Sequence, residues 1–504
     1  MAGATDDEAR EFARSYLKFM EWIHSEHFAR QDRNPVVALV QDFLGEAGRA
    51  HSVVARNLPE FEHVNLQTAL NHWLSEDGRT AAVHGIAVPP HYDRIRLHHL
   101  IGGEGIPPLR LSAPPYVDLA NGPGSTLACF VLAALLVNDA RGQYVVLIVG
   151  QVEHEQTVVV EIAGLPVEAA QAVHAELDEL RNRLNVYRGH VLEVEVSQMG
   201  GISLTFVDLP RPPREDVVLP EIALERIERH ALGVAEHREA LREAGQHVKR
   251  GLLLFGPPGT GKTHTTRYLV GQMSGYTRLL LTGRSLRAIG PAASLGRELQ
   301  PSVMVLEDVD LVAEDRSFGP SSNPILFDLL DAMDGAASDA DLLFVLTTNR
   351  ADLLEPALAA RPGRVDVAVE IDVPDADARR RLFALYARGV PLELTDDDMD
   401  DVIERTEGVT ASFLKELVRR AVLESLRQQT PLRAVTGAHT ERALDDLLDT
   451  AQQVTRSLLG VGNSPEDLPA GGGLGSLPPA RPGTGWMAYG STVRRRGRGP
   501  SAGS

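Results

Sequence analysis

The chain has 504 residues, 43% of them hydrophobic, enough to fill two or three separate cores. Its 50 Lys and Arg stand against 69 Asp and Glu, and the net charge of -19 has the wrong sign for a general nucleic-acid surface. The single cysteine, Cys129, excludes an internal disulfide and a cysteine-based zinc site and fits a reducing, cytoplasmic setting.

The first residues, Met1 to Glu8, carry acids where a secretory signal places a basic start and an apolar stretch, so export is not expected. The longest apolar run, Thr126 to Val137, falls short of the ~20 residues that cross a bilayer as a helix. It reads as a buried strand or helix, and no membrane insertion is expected. Helical patterns precede β-rich text such as Tyr144 to Val149 and Thr157 to Ile162, which makes residues 1–209 an expected α+β accessory domain for substrate recognition. Within it, Val167 to Leu184 reads as helix, and Tyr187 to Val194 and Ile202 to Phe206 read as strands joined at Gly200-Gly201. The cluster Pro210-Arg211-Pro212-Pro213 continues neither a helix nor a central strand, so 210–220 is read as a linker.

Past the linker, the apolar runs Leu252 to Phe255, Leu279 to Leu281, Val303 to Leu306, Leu342 to Leu346 and Val367 to Ile371 alternate with helical segments. That alternation predicts an α/β fold, a doubly wound parallel sheet over 221–375. Residues 376–459 lose the strands and read as a helical lid, and 460–504, rich in Gly, Pro and Arg, read as a disordered tail.

Between the first of these strands and the next helix stands Gly256-Pro257-Pro258-Gly259-Thr260-Gly261-Lys262-Thr263, the full P-loop (Walker A) pattern, with His264 added to the expected nucleotide-binding set. Its glycines let consecutive amides converge on phosphate oxygens at a helix N-terminus. Lys262 would bridge the β- and γ-phosphates of ATP, and the Thr263 hydroxyl would serve Mg²⁺. Only four lysines stand among the 50 basic residues, so lysine at 262 is a departure from the chain's habit. A compact ammonium fits between phosphates where a guanidinium does not. Downstream, Val303-Met304-Val305-Leu306-Glu307-Asp308 is a buried strand with acids at its tip, at the position of the Walker B strand.

These motifs resemble the AAA-class P-loop ATPases of the AAA+ superfamily. The family's strand tip reads Asp then Glu, whereas this chain reads Glu307-Asp308. The resemblance then puts Glu307 in the metal slot, reached through water, and Asp308 in the water-activating slot, the exchanged assignment being the alternative. The mitochondrial AAA translocase of the Rieske protein shares the inversion, and its type is the one these motifs resemble most. Asn349, after Leu346-Thr347-Thr348, resembles the family's sensor asparagine, and Arg361 and Arg364 stand at its arginine fingers. Fingers reach a neighbouring subunit's nucleotide, so the resemblance implies a ring of copies of this chain, expected as a hexamer. Val365 and Val367 depart from the family's usual Phe and Arg, and the lid stretch Gly408 to Leu414 matches only loosely. Nothing in the resemblance reaches residues 1–209.

Threading relatives place an aromatic on a pore loop, where Thr282 to Pro291 here puts Ala288, which predicts weak grip on a passing chain. The leading expectation is an ATP hydrolase coupled to remodelling or moving a protein client. A slow nucleotide-dependent switch or scaffold is the alternative, and a DNA-processing ATPase comes third.

Overall fold

The computed structural model describes residues 12, 14–19, 34–89, 95–103, 109–150, 157–196, 201–310, 324–334, 340–350, 364–428 and 431–449. The expected tail, and Arg361, lie outside these residues.

The N-terminal part is built on a six-stranded antiparallel sheet. Its strands are β1 (Val54–Pro59), β2 (Thr80–Ala87), β3 (Arg110–Ser112), and, after the separate hairpin β4 (Tyr116–Gly122) and β5 (Ser125–Phe130), β6 (Leu132–Asp139), β7 (Gly142–Val149) and β8 (Thr157–Ala163). They lie in the order β1-β8-β7-β6-β2-β3. Helices cover both faces, which explains the continuous apolar text of β7. Tyr144, Val146 and Ile148 enter one core with Leu70 and Trp73 of α2 (His63–Leu74) and Leu177 of α4 (Val167–Arg183). Val145, Leu147 and Val149 enter a second core with α1 (Pro35–Arg49) and α3 (Leu97–Gly102). Buried Glu161 on β8 accepts from the Leu97 amide at 2.5 Å and so serves the N-terminus of α3. The run Thr126 to Val137 resolves into two strands, β5 and β6, broken at Val131. Among the described residues no helix is long and apolar enough to cross a membrane.

The second sheet has the order β10-β9-β12-β13-β14-β11-β15. Its parallel strands β11 (Arg250–Phe255), β12 (Thr277–Thr282), β13 (Ser302–Glu307), β14 (Leu342–Thr348) and β15 (Val367–Glu370) are the predicted ones, and the α/β class is as expected. The hairpin β9 (Val191–Val196) and β10 (Ile202–Phe206) differs from expectation: sequence places it in the accessory domain, but β9 pairs in parallel with β12, Leu192 opposite Leu279. The edge of β12 needs a partner for its amides and carbonyls, and Leu192 and Val194, fully buried, join the core of Leu279 and Leu281. The sheet thus begins before the proline cluster. Within 210–220, Arg214 to Asp216 form a 3₁₀ turn ahead of α5 (Glu221–Glu228).

On the sheet's two faces lie α6 (Lys262–Gln272), α7 (Ile289–Glu298) and α8 (Pro324–Asp334). The lid is helical, comprising α9 (Ala376–Tyr386), α10 (Asp396–Arg405), α11 (Ala411–Gln428) and α12 (Gly437–Leu448), packed around Phe383, Phe413 and Leu417. The stretch expected as a pore loop is different again. Gly283–Ala288 form a 3₁₀ helix leading into α7, and Ala288 and Ile289, 5% and 1% exposed, sit in the core with Leu192 and Val194. Ala288 therefore does not occupy a gripping position, because the β9 hairpin and this turn share one apolar core.

Candidate active site

The site forms where β11, β13 and β14 end side by side, at the carboxyl edge of a parallel sheet. Phe255 closes β11, and Gly256, Gly259 and Gly261 follow with φ of 140°, 81° and 112°. Those angles suit glycine, and at Gly256 a Cβ would lie 2.2 Å from the Ile371 carbonyl oxygen. Thr260 Oγ1 donates to Pro257 O at 3.0 Å and ties the loop across its base. The loop delivers Lys262 and Thr263 to the first turn of α6, as the spacing predicts. Lys262, 6% exposed, donates from Nζ to Gly256 O and Pro257 O, both at 2.8 Å. Burial pushes its ammonium down to about 8, with Asp308 and Asp310 pulling the other way. His264, also predicted to bind nucleotide, is exposed, with its ring 3.2 Å from the Asp216 carbonyl in the segment before α5.

The two acids at the tip of β13 face different partners. Burial raises the Glu307 carboxyl above its ordinary range, and a hydrogen bond from Thr263 and the charge of Arg267 oppose the rise. Burial and the nearby Asp310 raise Asp308, while Lys262 and a hydrogen bond from Asn349 lower it. Asp308 has φ 51°, a left-handed conformation that aspartate tolerates better than most residues, and its amide donates to Thr347 Oγ1 at 3.0 Å. This twist at the strand end turns consecutive side chains towards separate partners.

Two residues of the site were missed by sequence reasoning. Asp310, 6% exposed, accepts from Thr348 Oγ1 at 3.0 Å, from the Asn349 amide at 3.1 Å and from Asn349 Nδ2 at 3.4 Å. Its signal was present as a third acid two residues beyond Asp308. Ser412, at the start of α11, donates its amide to Gly259 O at 3.0 Å, docking the lid onto the P-loop. No residue type announces a backbone contact of this kind.

Of the two expected fingers, only Arg364 is described. It is 8% exposed and forks onto Asp334 at the end of α8, Nε to Oδ1 at 3.0 Å and Nη2 to Oδ2 at 2.7 Å. The arrangement as a whole gathers a glycine-rich loop at a helix N-terminus, a buried ammonium and two neighbouring carboxylates at one edge of the sheet.

Comparison with known proteins agrees. Residues 252–373 match the family described as "ATPase family associated with various cellular activities (AAA)". It is 28% identical over 249 residues to a cell division cycle protein 48 homolog of Archaeoglobus fulgidus, which covers 45% of this chain and 34% of that protein. Over 227 residues it is 31% identical to the ATP-dependent zinc metalloprotease FtsH 3 of Symbiobacterium thermophilum, 42% of this chain and 36% of that one. The chain thus spans about a third of the length of these relatives. A solved structure, the FIGL-1 AAA domain, is 22% identical with a TM-score of 0.41 and covers 50% of this chain and 92% of its own.

Proposed function

We propose that this chain is an ATPase that binds ATP on the P-loop with Mg²⁺, hydrolyses it to ADP and phosphate within a ring of its own copies, and spends the cycle on remodelling or moving a protein client. The carrying observation is the loop between β11 and α6, in which three glycines of positive φ deliver Thr263 and the buried Lys262 to the sheet edge where β13 ends in Glu307 and Asp308. In this reading the amides of Gly256 to Thr263 cradle the phosphates, and Lys262 leaves the Gly256 and Pro257 carbonyls to bridge the outer two. The oxygens of Thr263 and Glu307 are the hard donors that fit Mg²⁺, whose charge offsets that of the triphosphate. Asp308, shifted towards proton acceptance by burial, takes the proton of the attacking water, and Asn349 orients that water. The inverted acid order, shared with the Rieske-protein translocase type, keeps one carboxylate in each role. The chemistry of a client and the cytoplasmic setting rest on the same likeness and on the lone, buried Cys129.

The test is Lys262→Ala, which removes the bridging charge. The variant is expected to stay folded and lose ATP binding, and unchanged affinity would sink the assignment. A ring is checked by measuring the mass of the assembly with ATP, and the client by capture on Asp308→Asn protein held with ATP.

A slow switch or scaffold is the second reading, and the hold of Asp334 on Arg364 favours it, because a guanidinium engaged in its own chain is not presented to a neighbour. Steady-state turnover with and without candidate clients separates the two readings. DNA processing would show as salt-dependent DNA binding, against which the net charge of -19 argues.

A further inference from the structure

At the far end of α6 from the P-loop, a cavity of about 430 Å³ opens between the β4–β5 turn, the start of β9 and the segment Val207 to Arg211. Its wall holds His190, Arg211 and, from β12, Arg278. Val270, also in the wall, lies eight residues past Lys262, about 12 Å along the helix axis, so the cavity is separate from the nucleotide site.

Arg278 is 5% exposed, and its hydrogen bonds run to backbone carbonyls, Gly189 O at 2.6 Å and Val270 O at 3.5 Å. Its Nε has no partner among the described residues. Burial and the positive charge of Arg211 both press its pKa below the ordinary value. One carbonyl near the end of α6 and one just before β9 account for two of its nitrogens, but among the described residues they leave a guanidinium charge buried without an anion, which folded chains rarely accept. Arg211 is held beside it because Gly271 makes room, a Cβ there lying 3.3 Å from Arg211 Cβ and Cγ. The wall has one carboxylate, the exposed Asp208, and it is not among the charges that act on Arg278.

We propose that this cavity binds a small phosphorylated molecule, its phosphate clamped between Arg211 and Arg278. Two guanidiniums and an imidazole suit a dianion, and the guanidinium fork matches phosphate oxygens. The volume suits a small molecule, and Val207 and Val270 offer apolar wall for its organic part.

The test uses the full chain carrying Lys262→Ala, which strips the P-loop of its phosphate-bridging charge, with inorganic phosphate as probe and acetate as control, followed by calorimetric titration without nucleotide. One saturable phosphate per chain is expected, with acetate weaker by about tenfold. Adding Arg211→Gln, at an exposed position and with the fold checked by circular dichroism, is expected to weaken phosphate by about tenfold or more. Arg278→Lys, which keeps a buried charge, should weaken it as well. Absence of saturable phosphate binding, equal binding of acetate, or unchanged affinity in Arg211→Gln would each overturn the proposal. None of these outcomes depends on whether the P-loop hydrolyses ATP.

Discussion

Asp310 holds Asn349 twice, through the backbone amide at 3.1 Å and the side-chain nitrogen at 3.4 Å. In the proposed mechanism, in which Asn349 orients the attacking water, Asp310 would align that group rather than touch the water itself. Asp310→Ala should therefore lower single-turnover hydrolysis about a hundredfold while leaving ATP affinity within a factor of two or three, about the cost of a misplaced catalytic group. Asp310→Asn, which retains one acceptor, should fall between. Equal losses in affinity and rate would make Asp310 a binding or folding residue instead.

The two acids at the strand tip are predicted to fail differently. Asp308→Asn should bind ATP and Mg²⁺ and hydrolyse about 10²- to 10⁴-fold more slowly, the usual worth of a general base. Glu307→Gln should instead raise the Mg²⁺ concentration needed for half-maximal rate. A Glu307→Gln protein that traps ATP with an unchanged Mg²⁺ requirement would show that the roles are exchanged.

Arg364 serves the fold whether or not it serves a neighbour. Removing it from its two-bond contact with the partly exposed Asp334 should cost about 1–2 kcal/mol by urea unfolding. If it is also a finger, mixing Arg364→Ala with Lys262→Ala protein should restore some activity, since an intact finger would then meet an intact P-loop. No recovery in mixed assemblies would confine Arg364 to its own chain.

Ile289, 1% exposed, should behave as a core residue. Ile289→Ala is expected to lower stability by about 2–5 kcal/mol through the lost transfer energy and the cavity left behind. A stable variant with a specific defect in client handling would instead return this turn to the pore.

Acid sensitivity should come from buried imidazoles. His63 is 1% exposed, lies 2.9 Å from the Phe130 carbonyl through Nε2, and has Nδ1 without a partner among the described residues. Burial lowers its pKa below 6.5, and burial likewise lowers those of His174 and His230. The unfolded chain therefore binds protons first, so this stability is complete above pH 6.5 and is lost as pH falls through the folded values. Urea midpoints should drop between pH 7.5 and 5.5, and His63→Gln, which keeps a donor for Phe130, should flatten the drop. An unchanged slope in that variant would remove His63 from the effect.

The sequence by itself determined the glycine-rich loop and the acidic strand tip, because each is a contiguous run whose chemistry is carried by neighbours: glycines at 256, 259 and 261 to free the amides, Lys262 and Thr263 directly after them at the start of a helix, Glu307 and Asp308 at a strand's end. It determined the parallel sheet for a similar reason, since strands buried on both faces read as unbroken apolar runs. Only the tertiary structure decided that β9 belongs to that sheet, that Ala288 and Ile289 are interior, that Asp310 grips Asn349 and that Ser412 docks on Gly259. Each of these depends on residues tens to hundreds of positions apart meeting in space, often through backbone atoms that every residue carries alike. Alternation and propensity report which way a side chain faces along its own strand or helix, and they carry no record of which distant edge that element will pair with.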